Sequence, residues 1–323
     1  MTSTTFSYVR PGSAGEATKA LAREGARPLG GGTDLLVSID EGFQSAESLV
    51  DLRLVPGSDQ ITDLPDGGLR IGASTRIAWI ATEQRIKTKY AALGQACDTV
   101  GTPALREMGT IGGNLCQRPR CWYLRRGVPC LKNGGTECPA RDGENQYHAI
   151  LDGGPCYVVH PSDPAVALTA LDAKIEIAGP KGSRLVPIER FFVLPKERLD
   201  RETILESGEF VQAIELPAAS AGGTQLYRKL MQRGAWDFAL VSIAAVKRPD
   251  GTVRMALGGV APRPWRVPES LEEDISAGAL DDDAIAVIAE RALYDATPLA
   301  KNGYKVRLAE TLIRRSIKEL TQS

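Results

Sequence analysis

Between Cys121 and Cys156 the chain has almost no helical or strand periodicity, and Gly, Pro, Asn and Arg dominate it. A loop of that length inside a compact domain is functional, disordered, or held by something other than secondary structure. Four thiols are spaced through it, Cys121, Cys130, Cys138 and Cys156, with Pro129, Pro139 and Pro155 beside three of them. Thiolates are soft ligands that select zinc, copper(I) or iron–sulfur clusters. Structural zinc normally brings a CxxC pair, and the chain contains none. The wide spacing favours a cubane cluster over zinc, with disulfides or unligated thiols as the remaining alternative. From Gln117 to Lys132 the cations Arg118, Arg120, Arg125, Arg126 and Lys132 face no acidic residue in sequence. Such a run suits a negatively charged cluster, whose potential nearby cations tune. It equally describes a solvated basic loop or a docking edge for an acidic partner.

A chain of 323 residues has room for two or three domains with proper cores. Its 43% hydrophobic and 24% charged content are ordinary for a globular protein. A net charge of −1 gives no general case for nucleic-acid or anionic-membrane binding. No apolar run reaches the roughly eighteen residues of a membrane span. The N-terminal stretch MTSTTFSYVRPGSAGEATK has neither a basic nor an apolar signal region, so no signal peptide is expected. Six cysteines without a signal fit reduced thiols and metal ligation better than a disulfide framework. Either a cytoplasmic location or periplasmic co-export with a signal-bearing partner is consistent with this.

Local patterns outline the organisation. A strand is expected over Phe6–Arg10, followed by a capping-box helix that starts at Ser13 and runs to Glu24, with Gly25 as its stop. The loop Gly30-Gly31-Gly32-Thr33-Asp34-Leu35 precedes another strand at Ser48–Arg53. Glycine-rich loops after strands expose backbone N–H groups to phosphates, although this one has neither the Lys of a P-loop nor a GxGxxG spelling and also reads as a tight turn. A helix over Lys87–Val100 puts Leu93, Ala96, Cys97 and Val100 on one face, which makes Cys97 a core thiol. A second glycine turn, Gly109–Asn114, leads into the Cys loop. A strand at Cys156–Val159 and a helix at Asp163–Leu171, capped by Ser162 or Asp163, follow. After the linker-like Pro217–Thr224, strands Ala239–Lys247 and Val253–Leu257 alternate with helices Ala284–Tyr294 and Tyr304–Leu320.

Five segments in order carry a family resemblance: Pro28–Leu35, GTIGGN at Gly109–Asn114, SDPAVALTALDA at Ser162–Ala173, YRKLMQRGAWDFALVSIAA from Tyr227, and NGYKVRLAETLIRR from Asn302. Together they resemble the FAD-binding medium subunit of the molybdenum hydroxylase (xanthine dehydrogenase) family, over essentially the whole chain. The stretches GTIGGNLCQRPRCWYLR and APRPWRV are most similar to the [4Fe-4S]-containing FAD subunit of bacterial periplasmic aldehyde oxidoreductases. Flavin subunits of the 4-hydroxybenzoyl-CoA-reductase type, which carry a comparable loop, are the alternative.

The resemblance implies an α+β fold: a two-lobed FAD-binding domain of the vanillyl-alcohol-oxidase (PCMH) type, then a C-terminal α+β domain. The expected boundaries are 1–216 (lobes at about 1–55 and 56–216, Cys loop at 116–156) and 224–323. It further implies FAD on Pro28, Leu29, Gly30, Gly31, Gly32, Thr33, Asp34, Leu35, Thr110, Gly113, Asn114, Asp163, Val211 and Lys229. A [4Fe-4S] cluster is expected on Cys121, Cys130, Cys138 and Cys156, with Cys116 as the runner-up for the first ligand. Each FAD residue also has an ordinary reading: Asp163 as a helix cap, Val211 as core, Lys229 as a solvated cation. Partners would be a molybdenum-cofactor large subunit and a [2Fe-2S] small subunit, with ferredoxin, quinone, NAD or oxygen as acceptor. No catalytic residue is assigned. His148 and His160 lack a partner pattern and read as structural.

Overall fold

The computed structural model describes residues 5–278 and 280–322. The first layer is a parallel three-stranded sheet of β1 (Ser7–Val9), β2 (Ala26–Leu29) and β3 (Ser48–Asp51), in the order β1-β3-β2. Parallel neighbours need crossovers, and the helices Ala14–Leu21 and Leu35–Asp40 supply them. The first starts where its capping box predicts: Ser13 Oγ accepts the Glu16 N–H at 3.2 Å, and the Glu16 carboxylate accepts the Gly12 N–H at 2.7 Å. It ends at Leu21 and not at Glu24.

The second layer is an antiparallel sheet of β4 (Ile61–Asp63), β5 (Leu69–Gly72), β6 (Lys174–Gly179), β7 (Gly182–Pro187) and β8 (Phe210–Leu216), ordered β4-β5-β8-β6-β7. Everything between β5 and β6 is an excursion that carries the helices Ile77–Thr82, Gln84–Lys89, Ala91–Asp98, Pro103–Met108 and Ile111–Leu115, then the Cys loop, then the helix Asp163–Ala170. The expected helix over 87–100 is two helices broken at Tyr90. That ring is fully buried, and its hydroxyl donates to the Pro217 carbonyl at 3.2 Å, which pins the backbone there in a non-helical conformation. Cys97 is buried in the same core, as its spacing predicts.

The third layer is antiparallel: β9 (Thr224–Leu230), β10 (Val241–Lys247), β11 (Val253–Gly258) and β12 (Trp265–Arg266), in the order β12-β11-β10-β9. Helices Glu269–Ser276, Asp282–Arg291 and Tyr304–Gln322 close its core around Ile243, Met255, Leu312 and Ile317. The helix Asp163–Ala170 lies in the middle of the molecule, and every one of its residues is buried. That position puts its N-terminus at the meeting point of the glycine loops, the Cys loop and β9. No strand forms at Cys156–Val159, where the backbone serves instead to fasten the Cys loop.

Candidate functional site

The two glycine turns face each other across a cavity of about 530 Å³. Residues Gly30 to Leu35 line one side, with Thr110, Gly112, Gly113 and Asn114 opposite. The backbone N–H groups of Gly31, Gly32, Thr33 and Asp34 donate to no acceptor among the described residues. Unpaired backbone donors are normally satisfied, so a run of them on a cavity wall marks an anion site. The glycines are required for different reasons. Gly32 holds φ +74°, the left-handed region. A Cβ on Gly31 would sit 1.7 Å from the Met108 carbonyl oxygen. Gly31 is therefore needed for contact between the two loops.

Thr110 caps the short helix Ile111–Leu115, its Oγ1 accepting the Gly113 N–H at 3.2 Å. Asn114 Oδ1 accepts the Ser162 hydroxyl at 2.5 Å, which leaves its amide N–H₂ unengaged by that contact. Ser162 is the cap of the buried helix, accepting the Ala165 N–H at 3.1 Å.

Asp163, the first residue of that helix, is not the cap. Its carboxylate accepts from the Tyr227 hydroxyl at 2.6 Å and from Lys229 Nζ at 2.8 Å, and both charged side chains are almost fully buried. Burial pushes the Asp163 carboxyl up, and the Lys229 cation pulls it back. Lys229 also donates to the Thr99 carbonyl at 3.2 Å, so it is not the solvated cation that its residue type suggests. Thirteen of the fourteen residues expected to contact the cofactor line this one cavity, and Leu29 is the exception. Leu29 packs instead with Ile39, Ala46 and Leu49 beneath the loop. Tyr227 and the segment Arg233–Phe238, the latter also closing on the cavity, belong to a stretch that carries the family resemblance but were assigned no cofactor role, since they have no phosphate-loop signature.

The basic run faces inward. Asp34 accepts the Arg118 backbone N–H at 2.8 Å and pairs with Arg120 and Arg125, both at 2.7 Å. Glu202 pairs with Arg118 at 2.8 Å and with Lys132 at 3.0 Å. Four of the five cations thus pair with two carboxylates within the chain, which leaves Arg126 as the exposed one. The run clamps the glycine loop to the Cys loop. Asp34 belongs to that clamp as much as to the cavity.

The iron–sulfur expectation is corrected. Among the described residues no group of three or more His, Cys, Asp or Glu side chains is arranged to hold a metal ion. Cys121, Cys130, Cys138 and Cys156 surround a void of only about 10 Å³. Burial pushes the Cys121 thiol up, and a hydrogen bond between Cys138 and Cys156 moves Cys156 up and Cys138 down to about 6. Cys116 lies apart, on the wall of the large cavity. The loop is held by ordinary polar contacts. Buried Lys305 donates to the carbonyls of Tyr147, His148 and Gly259 at 2.9, 3.1 and 2.8 Å. Asn302 donates to His148 and Ala149, both at 3.1 Å, and Trp122 packs edge-on against Tyr147.

Burial lowers both histidines to about 4. Their unfolded value is near 6.5, so between those limits the unfolded chain binds more protons than the folded one. Stability is then complete above about pH 6.5 and falls as the pH drops toward 4, by about 3 kcal/mol for fully enclosed His160. Denaturant midpoints across this range should show the decline, and His160→Asn should flatten it. A parallel profile in that variant would exclude His160 as the cause.

Comparison with known proteins fits this geometry. Residues 4–219 match the family model described as the FAD binding domain in molybdopterin dehydrogenase. Residues 225–320 match the CO dehydrogenase flavoprotein C-terminal domain. The chain is 37% identical to the aldehyde oxidoreductase FAD-binding subunit of Escherichia coli, covering 94% of this chain and 95% of that one. It is 29% identical to the glyceraldehyde dehydrogenase medium chain of Sulfolobus acidocaldarius, covering 98% of each. The carbon monoxide dehydrogenase structure from Hydrogenophaga pseudoflava superposes with a TM-score of 0.75 at 25% identity, over 97% of this chain and 96% of that one. Both domain models describe flavoprotein modules, and neither adds an iron–sulfur centre. With its donor-lined cavity and its two matched modules, the chain belongs to the family of FAD-binding medium subunits of molybdenum hydroxylases, and it is an oxidoreductase flavoprotein.

Proposed function

We propose that this chain is the flavin subunit of a molybdenum-dependent aldehyde oxidoreductase, passing electrons from a [2Fe-2S] subunit to an external acceptor. The observation that carries it is the cavity whose walls combine unpaired backbone donors at Gly31–Asp34 with the buried Lys229–Asp163 pair. The aldehyde assignment rests on the 37% identity to an aldehyde oxidoreductase subunit. Domains at 1–216 and 224–323 are part of the same reading.

FAD, when bound, supplies two-electron redox chemistry. This chain's residues bind, orient and enclose it. The N–H groups of the Gly30–Thr33 loop, unpaired from Gly31 onward, take the pyrophosphate, as bare backbone donors take phosphates elsewhere. Thr110, Gly113 and Asn114 present a hydroxyl, open backbone and an amide to the flavin and ribityl side. Val211 supplies apolar packing, and Lys229 a fixed cation whose position Asp163 and Tyr227 determine. Aldehyde chemistry belongs to the molybdenum subunit in this reading.

Expressed alone, the chain should purify with FAD, and the flavin should stay oxidised when an aldehyde such as benzaldehyde is added anaerobically. Addition of the molybdenum and [2Fe-2S] subunits should then bleach it. Bleaching by aldehyde in the isolated, metal-free chain would place the active site here and refute this division of labour.

A further inference from the structure

The strands β9 and β10 are joined by a turn with no helix or strand of its own. Their ladder ends where the Leu240 N–H donates to the Leu230 carbonyl at 2.8 Å. Beyond that rung, among the described residues, no backbone-to-backbone hydrogen bond involves residues 231–239. Yet this stretch walls the flavin cavity with Arg233, Trp236, Asp237 and Phe238. We infer that it is a hinged lid latched by Arg120, and that FAD enters and leaves when the latch parts; the inference rests on the flavin reading above.

The turn is built to move as one piece. The Arg233 backbone N–H donates to the Asp237 carboxylate at 3.1 Å, and its guanidinium donates to the Trp236 carbonyl at 2.8 Å. The same guanidinium lies 5.5 Å from the centre of the Trp236 ring, within cation–π range. Asp237 also accepts the Phe238 N–H at 2.9 Å. All of these contacts lie inside the turn, so they survive a swing about Leu230 and Leu240. Trp236 holds φ +51°, in the left-handed region that bulky L residues avoid. Such strain persists only where neighbours hold it, and it clusters at ligand clamps and switches. Trp236 is 60% exposed while lining the cavity, which places it at the rim.

Side chains alone make the hydrogen bonds and ring contacts that tie the turn to the rest of the protein. At its start, Gln232 Oε1 accepts the Tyr147 hydroxyl. At its end, the Arg120 guanidinium lies 5.0 Å from the centre of the Phe238 ring. Arg120 also pairs with Asp34 on the glycine loop at 2.7 Å, so one side chain joins the two lips of the cavity. Asp34 keeps its bond from Arg125 when Arg120 lets go, and the latch parts without stranding a buried carboxylate. A cation–π contact at a partly exposed site is weak, as a latch that opens for each cofactor molecule must be.

The test is the rate of FAD uptake by the flavin-stripped full chain, followed by flavin fluorescence in stopped flow, with release followed on dilution. Phe238→Leu removes the ring and should raise the uptake and release rates together, each about fivefold, so that their ratio moves far less than either. Phe238→Trp offers Arg120 a better face on a side chain that is 45% exposed and has room for it, and it should slow both rates. Mere damage to the cavity wall would speed release without speeding uptake, and would not slow both rates in the second variant. Trypsin gives a readout that needs no rate of binding. Cleavage after Arg233 should be about tenfold slower once FAD is bound, and without FAD it should be faster in Phe238→Leu than in the parent. Equal rates in the three proteins, an effect on release alone, or cleavage indifferent to FAD would each overturn the lid. A parent chain that takes up no FAD at all would overturn the flavin assignment, and the lid with it.

Discussion

Gly31→Ala is expected to weaken FAD binding about a hundredfold, the equivalent of 2–3 kcal/mol of overpacking. The new Cβ would lie 1.7 Å from the Met108 carbonyl oxygen and 2.5 Å from its carbon. Backbone cannot yield as a side-chain tip can, so the two glycine turns must separate, and with them the donors at Gly31–Asp34. Two other glycines isolate the contributions. Gly42 has the same φ of +74° as Gly32 but no atom within 4 Å of its would-be Cβ. Gly42→Ala should therefore cost only the left-handed strain, about 1–2 kcal/mol, and keep its flavin. Gly32→Ala adds a contact at 2.7 Å with the Leu36 side chain, which can move, and should fall between the other two. The measurement is flavin absorbance per protein after purification, with the dissociation constant from titration of the apoprotein. Full FAD content in Gly31→Ala would mean that the loop-to-loop contact is irrelevant to the site.

How much of this was legible in the sequence depends on the range of the interaction that decides each element. The first crossover was readable because its signal is local: Ser13, Glu16 and Gly25 punctuate it within a few residues. The glycine loop was readable for the same reason. The strands β6, β7 and β8 were not singled out, although KIEIAG alternates as a strand should, because β6 and β8 are separated by a long connection and β5 pairs with β8 across the whole helical excursion. The helix at Asp163 was found by its cap and not by amphipathicity, since all of its faces are buried.

The Cys loop shows where residue-level reasoning misleads. Its composition suggested that a metal was needed to order it, but the ordering groups lie elsewhere in the chain. Asn302 and Lys305 come from the start of the C-terminal helix, far from the loop in sequence. The arginine run was misread in the same way. Its counter-charges, Asp34 and Glu202, lie on either side of it at long sequence separation, so a local charge count finds only excess positive charge. Tyr227 opens a segment of family resemblance, but nothing in that segment marks it as a partner of Asp163. Alternation along β9 places it on the same face as Lys229, and only the fold brings both to Asp163.

Lys229→Met is expected to destabilise the chain by about 3–5 kcal/mol, because it leaves a buried carboxylate without its cation. Only the Tyr227 hydroxyl would remain on Asp163, at 2.6 Å. Burial already raises the Asp163 carboxyl in the intact protein, with Lys229 as the chief opposing influence. Without Lys229 the folded-state value climbs further above the unfolded one. A raised carboxyl makes the folded state bind more protons than the unfolded state between those two values. The variant's deficit should therefore be smallest below the ordinary carboxyl range, where Asp163 is protonated in both states, grow as the pH rises from there to the elevated folded value, and level off above it. The double variant Asp163→Asn/Lys229→Met removes the charge and should recover most of the loss, with a coupling of at least about 2 kcal/mol in the cycle. Its FAD affinity should stay below that of the parent, since the fixed cation on the cavity wall is gone. Denaturant midpoints at several pH values and flavin titrations of all four proteins decide the matter. Additive losses that do not vary with pH would show that the two side chains act independently, and that the pair is not what fixes this wall of the flavin cavity.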